Sequence, residues 1–321
     1  MLGRYVTWLL LLTHFPPLSP TPGFSFFAAG ADANLACPGN GGGAPLHLAV
    51  SCGYEGCRPL FDTLLANKGT DVNARDKSGF SPCHVALSLC ASSSHSQQAA
   101  CGMVVALVQS GGLNLGLPAP TGRQLLTRAV GLGIAQVVGA LLDRGANCNQ
   151  ADAGCLAPLL MAAAAMRSSW QYDEGGSGLC DRAATLLRLV QHPAADADAQ
   201  GPDDGNTVLH TLLLLPLFDA GTLELVHKLL QRRPDLCVRN RALDSPLHLV
   251  LKALCTSAPA LGGPLVVAMV QLSAAAVAVP DAQGNTAMHL AVDCDDQVRC
   301  SHWAGVQHVQ AGWPAVRRAE Y

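Results

Sequence analysis

The chain has 321 residues and a formal net charge of −3; half its residues are apolar, but only 5% are aromatic and 13% charged. No global basic field is available to hold a phosphate backbone, which argues against nucleic acid as a general partner. An interior of Ala, Leu and Val favours closely packed helices over a core built around large rings, and the 13 scattered Cys, odd in number and without a C-x-x-C pair, fit reduced buried thiols better than a secreted disulfide scaffold.

In chain order, residues 1–26 form a leader. Met1 to Ser25 carries Arg4, an apolar run from Tyr5 to Leu12, then prolines, a pattern like a short secretory signal but without a clear small-x-small cleavage site. The competing reading is non-native sequence, because the chain enters a repeat midway near Phe27, and Gly30-Ala31-Asp32-Ala33-Asn34 reads as the tail of a preceding unit. Gly39 to Gly43 is a turn; it lacks the G-K-[ST] ending of a phosphate loop, and no strand precedes it.

One pattern then recurs, first as Ala44-Pro45-Leu46-His47-Leu48-Ala49 and next as Ser81-Pro82-Cys83-His84-Val85-Ala86. Further copies are Thr207-Val208-Leu209-His210, Ser245-Pro246-Leu247-His248-Leu249 and Thr286-Ala287-Met288-His289-Leu290-Ala291. Weaker ones stand at Gln124-Leu125-Leu126-Thr127 and Ala157-Pro158-Leu159-Leu160. Between them, Leu64 to Ala74 (LLANKGTDVNA) and Leu141 to Asn149 (LLDRGANCN) each read as a helix end, a Gly turn and an extended segment. Thr or Ser caps free N–H groups at a helix start, and Pro suits the first turn. Gly69 and Gly145 are expected to close the second helix in a left-handed conformation. The stretch from Asn73 to Gly79 is expected to turn toward the next unit.

Spacing is irregular: Pro45 to Pro82 is 37 residues and Val208 to Pro246 is 38, but Pro158 to Val208 is 50. The excess falls between the two helices of a unit, at Ala91–Ala100, Ser168–Asp181 and Thr256–Gly263. Their Ser, Gly and Gln content predicts flexible loops. Leu261 to Val279 is uncharged and nearly long enough to span a bilayer. Its Gln271 and Ser273, its flanking prolines and its place in the repeat make it a buried second helix instead. Past Asp293 the pattern stops, leaving 295–321 as an unassigned tail.

The recurring motif is similar to the T-P-L-H-x-A signature of the ankyrin family, whose unit is roughly 33 residues. The resemblance covers roughly Phe27 to Asp293. It implies an all-α ankyrin-repeat solenoid over 27–294: about six helix-turn-helix units with hairpin-like turns, partial units at both ends, and inter-helix insertions. It further implies a concave groove that binds a protein or peptide through residues that vary at the hairpin tips. On this chain those positions are Arg75, Lys77, Ser78, Phe80, Gln150, Asp152, Asp203, Asp204, Arg239, Arg241, Asp281 and Gln283. Phe80 is the candidate aromatic anchor, with packing on its own hairpin as the competing role.

Chemistry at single sites is not expected. His47, His84, His210, His248 and His289 recur one per unit, too far apart to share an ion at roughly 2 Å ligand distance; the family resemblance implies that they brace one unit on the next. Cys83 beside His84, or Cys52 with Cys57, lacks a third orienting group and a pocket. Arg232, Arg233, Arg239 and Arg241 lie one repeat after Asp196, Asp198, Asp203 and Asp204; the two sets either pair with each other or select a partner of the reverse pattern. No enzyme activity, cofactor, metal or membrane partner is expected, and the location is read as cytoplasmic. A scaffold or adaptor binding an unidentified protein is the leading reading, with end-to-end self-association open to an array without capping repeats. The alternatives are a regulatory part of a larger enzyme or channel, or a truncated gene product without independent function.

Overall fold

A computed structural model describes residues 32–36, 41–51, 54–91, 94–151, 156–172, 177–215, 220–256 and 259–297. The leader, the tail beyond 297, Cys52 and Asp152 lie outside the described residues. The chain divides into two compact units, Met1–Gly154 and Cys155–Tyr321. In the first, α1 (Pro45–Ser51) pairs with α2 (Tyr54–Ala66), α3 (Pro82–Cys90) with α4 (Ser94–Gln109) and α5 (Leu125–Gly131) with α6 (Ala135–Asp143). In the second, α7 (Pro158–Tyr172) pairs with α8 (Ser177–Gln191), α9 (Val208–Leu213) with α10 (Ala220–Gln231) and α11 (Pro246–Thr256) with α12 (Pro259–Leu272). A 3₁₀ turn (Ala274–Ala278) and α13 (Ala287–Gln297) follow, and the described residues contain no strand beyond an isolated Pro280–Thr286 bridge.

Within each unit the first helices stack on first helices, and α2 packs on α4, α4 on α6 and α8 on α10, so a hairpin lends its apolar face to the next one in its unit. Leu46, Phe61, Leu87, Met103 and Leu141 fill the first unit; Leu159, Met166, Leu186 and Leu189 fill the second, all fully buried. One large ring suffices because Ala and Val let the helices approach closely. The segment expected to be a second helix does become α12, burying Leu265, Val266 and Met269, but it stops at Leu272 and does not run on to Val279. No described helix is long and apolar enough to cross a membrane.

The insertions correct the sequence reading. Within them Ser94–Ala100, Ser168–Tyr172, Ser177–Asp181 and Pro259–Gly263 are helical, so these described parts lengthen α4, α7, α8 and α12 instead of forming loops; 92–93, 173–176 and 257–258 lie outside the described residues. Once a packed helix is nucleated, each added residue gains a backbone bond, and Gln and Ala propagate it well. Gly69 is a second correction. Gly145 is left-handed at φ +82°, but Gly69 is not among the positive-φ residues; there the Asn67 side chain accepts the Gly69 N–H at 3.0 Å and makes the turn itself.

Histidine ties three of the described hairpins, those beginning α1, α9 and α11, to their successors. The backbone N–H of Ala44, Thr207, Ser245 and Thr286 donates to Nδ1 of His47, His210, His248 and His289 at 3.1–3.3 Å. That leaves the proton on Nε2, which donates to the following turn: His47 to the Phe80 carbonyl at 2.9 Å, His210 to Asp244 at 3.1 Å and His248 to Asn285 at 3.2 Å. His84 departs from the pattern. Its Nδ1 meets the Ser81 hydroxyl at 2.7 Å, but its buried Nε2 has no partner among the described residues. The next motif copy is the weak Gln124–Thr127, and the Phe80 ring lies edge-on at 6.4 Å between centroids.

At His210, protonating Nδ1 would set the ring N–H against the Thr207 N–H that donates to it. Burial, then Arg128 and Arg75, lowers His84 to about 4. Burial also lowers His210, although the Asp244 carbonyl opposes it. In the unfolded chain both titrate near 6.5. Below that value the unfolded chain binds protons that the folded one refuses, so stability present at neutral pH is lost as pH falls toward 4. The Tm is expected to hold above about pH 7 and fall between about pH 6.5 and 5, before carboxylates titrate. His84→Gln should flatten that slope; a parent melt flat over this window would contradict the neutral clamp.

Candidate functional site

The hairpin tips share one closure. The first residue's N–H donates to the fifth's carbonyl, and the fourth's N–H donates back to the first. The pairs are Asp76–Phe80 at 3.0 Å with Gly79–Asp76 at 2.9 Å, Asn240–Asp244 at 3.0 Å with Leu243–Asn240 at 2.9 Å, and Asp281–Asn285 at 2.8 Å with Gly284–Asp281 at 3.1 Å. The first side chain seals the loop: Asp76, Asn240 and Asp281 each accept the fifth residue's N–H at 2.8–3.0 Å. A tip that satisfies its own backbone leaves its outward side chains free to face a partner.

The predicted tip residues divide by what they touch. In the first unit Arg75, Lys77, Ser78 and Gln150 are exposed. Arg75 reaches the Gly79 carbonyl at 3.1 Å and the Pro118 carbonyl at 3.2 Å, and the Lys77 stem lies over Gly42, where an added Cβ would meet it at 2.5 Å. Phe80 is half-buried against His84, so its ring supports its own hairpin. In the second unit Asp203, Asp204, Arg239, Arg241 and Gln283 are exposed, but Asp281 is only 5% exposed. Burial works against its charge, yet the Asn285 and Gln283 amides outweigh that and hold Asp281 below the ordinary carboxylate value. Asp281 holds its turn and does not offer a contact.

The acidic and basic stretches meet, but through amides and carbonyls. The Arg241 N–H donates to the Asp204 carbonyl at 2.9 Å, and its guanidinium to the Pro202 carbonyl. Arg239 reaches the Pro280 carbonyl at 3.3 Å, while Gln200 Nε2 bridges the Gly205 and Arg239 carbonyls at 2.8 and 2.9 Å. Asn240 Nδ2 donates to Asn206 Oδ1 at 2.9 Å, and Asp198 accepts the Asp235 N–H at 2.9 Å. Arg232 inserts into the C-terminal end of α8, donating to the carbonyls of Val190, His192, Pro193 and Ala195 at 2.5–2.9 Å. Arg144 makes the same move in the first unit, onto the Val108 carbonyl at the end of α4, at 2.7 Å. A cation suits a helix C-terminus, where carbonyls lack partners.

Beside these tips the second unit has a cleft of about 200 Å³. Leu156, Leu160 and Ala164 supply apolar lining, Gly201 to Asp204 bound it, and Arg167 and Ser168 stand among its polar groups. Asp204 is tied down by Asn206 at 2.9 and 2.6 Å. Arg167 and Asp203, of opposite sign, have no hydrogen-bond or ion-pair partner among the described residues. Sequence reasoning missed Arg167, because only the packing of α7 against the next tip brings it to the cleft.

Reaction chemistry finds no support at the suspected pair. Burial pushes the Cys83 thiol up to about 12, the reverse of what an activated nucleophile needs. Among the described residues no three His, Cys, Asp or Glu side chains gather as a metal site.

Residues 42–77 match the family model for the ankyrin repeat. The ankyrin-repeat domain of Bcl-3, described as a member of the IkappaB family, superposes with a TM-score of 0.53 at 19% identity, over 81% of this chain and 99% of that one. The fold is that of an ankyrin-repeat array. An ankyrin-repeat protein named EF0377 has a TM-score of 0.46 at 14% identity, over 67% of this chain and 90% of that one. A chain from the complex of a predatory endopeptidase of Bdellovibrio bacteriovorus with an immunity protein has a TM-score of 0.41 at 19% identity, over 61% of this chain and 87% of that one. No curated protein matches the chain.

In this array Arg232 is a staple between consecutive hairpins. Arg232→Ala is expected to cost about 2 kcal/mol by leaving partly buried carbonyls unpaired. Lys, with one point donor, should restore little. Denaturant melts of the two variants check this, and an unchanged midpoint for Ala would refute the staple.

Proposed function

We propose that the chain is a non-catalytic scaffold that binds a protein or peptide partner along its tips and the adjoining helix faces. Ankyrin repeats are, in general, protein-interaction modules, and the observation that carries the reading here is the cleft beside α7. It combines an apolar floor with two unpartnered charges of opposite sign, Arg167 and Asp203. Concave apolar surface with a few free polar groups suits side-chain recognition, and charges without internal partners select orientation at little cost to stability. Asp203, Arg239, Arg241 and Gln283 extend the same surface in the second unit; Arg75, Lys77, Ser78 and Gln150 offer a corresponding set in the first. Phe80 enters this reading as a support for the first unit's tip.

Affinity capture from a lysate on the full chain tests the reading. The parent should retain proteins that are lost when Arg167→Glu and Asp203→Lys are combined, while the Tm moves by less than about 2 °C because exposed charges contribute little to folding. Identical captured sets on parent and variant would sink the cleft as a binding site.

A further inference from the structure

Arg232 to Asp244 differs from every other tip segment in its backbone. The fourth residue of each closed tip must take a left-handed conformation, and glycine fills that place at Gly79, Gly122 and Gly284 with φ of +81°, +77° and +82°. Gly205 serves the six-residue tip at +67°. In the Asn240–Asp244 tip the residue is Leu243, at φ +63°. Where the place two residues after a second helix is left-handed, it is Gly111 or Gly145 in the first unit, but Arg233, at φ +55°, after α10. Leu243 and Arg233 are the only non-glycine residues at positive φ among the described residues. An L side chain is strained there and glycine is not, and such strain persists where the side chain has a use.

Both side chains face solvent. Leu243 is 42% exposed, one of few large apolar residues so placed, and Arg233, Arg239 and Arg241 are exposed in the same segment. None of the three arginines has a carboxylate partner among the described residues; Arg239 and Arg241 are held by the Pro280 and Pro202 carbonyls. Carbonyl contacts aim a guanidinium without neutralising it. The segment therefore presents one apolar knob beside two oriented positive charges, Arg239 and Arg241, while its exposed carboxylate, Asp235, is turned onto the Cys237 N–H at 2.8 Å.

We infer that the Arg233–Leu243 segment is a docking knob for an acidic polypeptide segment that carries an apolar side chain, Leu243 supplying the apolar contact and Arg239 with Arg241 the charge complement. This rests on the protein-binding reading above and names the partner's chemistry. The neighbouring tip carries Asp203 and Asp204, which disfavours a uniformly charged polyanion such as single-stranded RNA, whose binding would be indifferent to a leucine.

The test pans a random displayed-peptide library on the full chain, then measures enriched peptides by fluorescence anisotropy against variants. The expected winners pair Asp or Glu with Leu, Ile or Phe. Leu243→Gly should weaken them at least tenfold while the Tm stays equal or rises, because glycine relieves the strain. Leu243→Asn, which tolerates the same backbone, should weaken them alike. Arg241→Glu should weaken them more at low salt than at high. Enriched peptides that bind Leu243→Gly as tightly as the parent but lose affinity for the Arg167→Glu, Asp203→Lys double variant would overturn the knob and leave the cleft standing. Basic winners would also overturn it, as would a single-stranded oligonucleotide bound through Arg239 and Arg241 with no dependence on Leu243. Failure to enrich any peptide would overturn the knob and the binding reading together.

Discussion

The histidine clamp is the constraint that fixes the register of the hairpins that carry it. A neutral imidazole can accept at one nitrogen and donate at the other, so each clamp residue ties its own helix start to the carbonyl of the next tip. His47, His210 and His248 do this with little variation in distance. The bond sets how far one hairpin sits from its successor, and that spacing lets Leu, Val and Ala side chains meet in an unbroken core within each unit. At His210, burial makes the fold intolerant of charge on the ring.

From that spacing follows the design of the tips. Since the clamp anchors the fifth tip residue's carbonyl, the turn before it must close on itself, with an Asp or Asn at its start and a left-handed residue at its fourth place. Neighbouring tips then touch through amides: Arg241 N–H on Asp204, and Lys77 N–H on the Gly41 carbonyl at 2.9 Å. Close approach leaves little room, and a Cβ on Gly205 would stand 3.1 Å from the Arg241 nitrogen. Against that rule Leu243 and Arg233 stand out, and Arg232, held on the end of α8, gives them a rigid base.

Much of this was legible beforehand. The T-P-L-H pattern located the helix starts, since Pro and Ser or Thr are readable in a window of a few residues, and α1, α3, α9, α11 and α13 all begin at a motif copy. The recurrence of His told of a repeated structural role, and the clamp is that role. Tip positions were identifiable, but not which way each side chain turns: Asp281 and Asp203 look equivalent as letters, yet one is sealed inside its turn and the other stands in solvent. The helical parts of the insertions escape the sequence for a related reason, because Ser- and Gln-rich composition is compatible with helix once a neighbouring helix is there to nucleate and pack it.

The amino-acid order by itself determined the periodic features: helix starts, turn residues, the histidine register and an interior of small aliphatic side chains. Each follows from local stereochemistry acting over a few residues and repeated along the chain. Tertiary structure alone decided the distant matters. It placed the guanidinium of Arg232 on carbonyls about one repeat earlier and brought Arg167 to the tip at Asp203. It left Nε2 of His84 without the acceptor its counterparts have, and it set Leu243 on a strained, exposed corner. These depend on distances between residues roughly 35 to 45 positions apart, which arise only when successive hairpins pack, and no local preference encodes them.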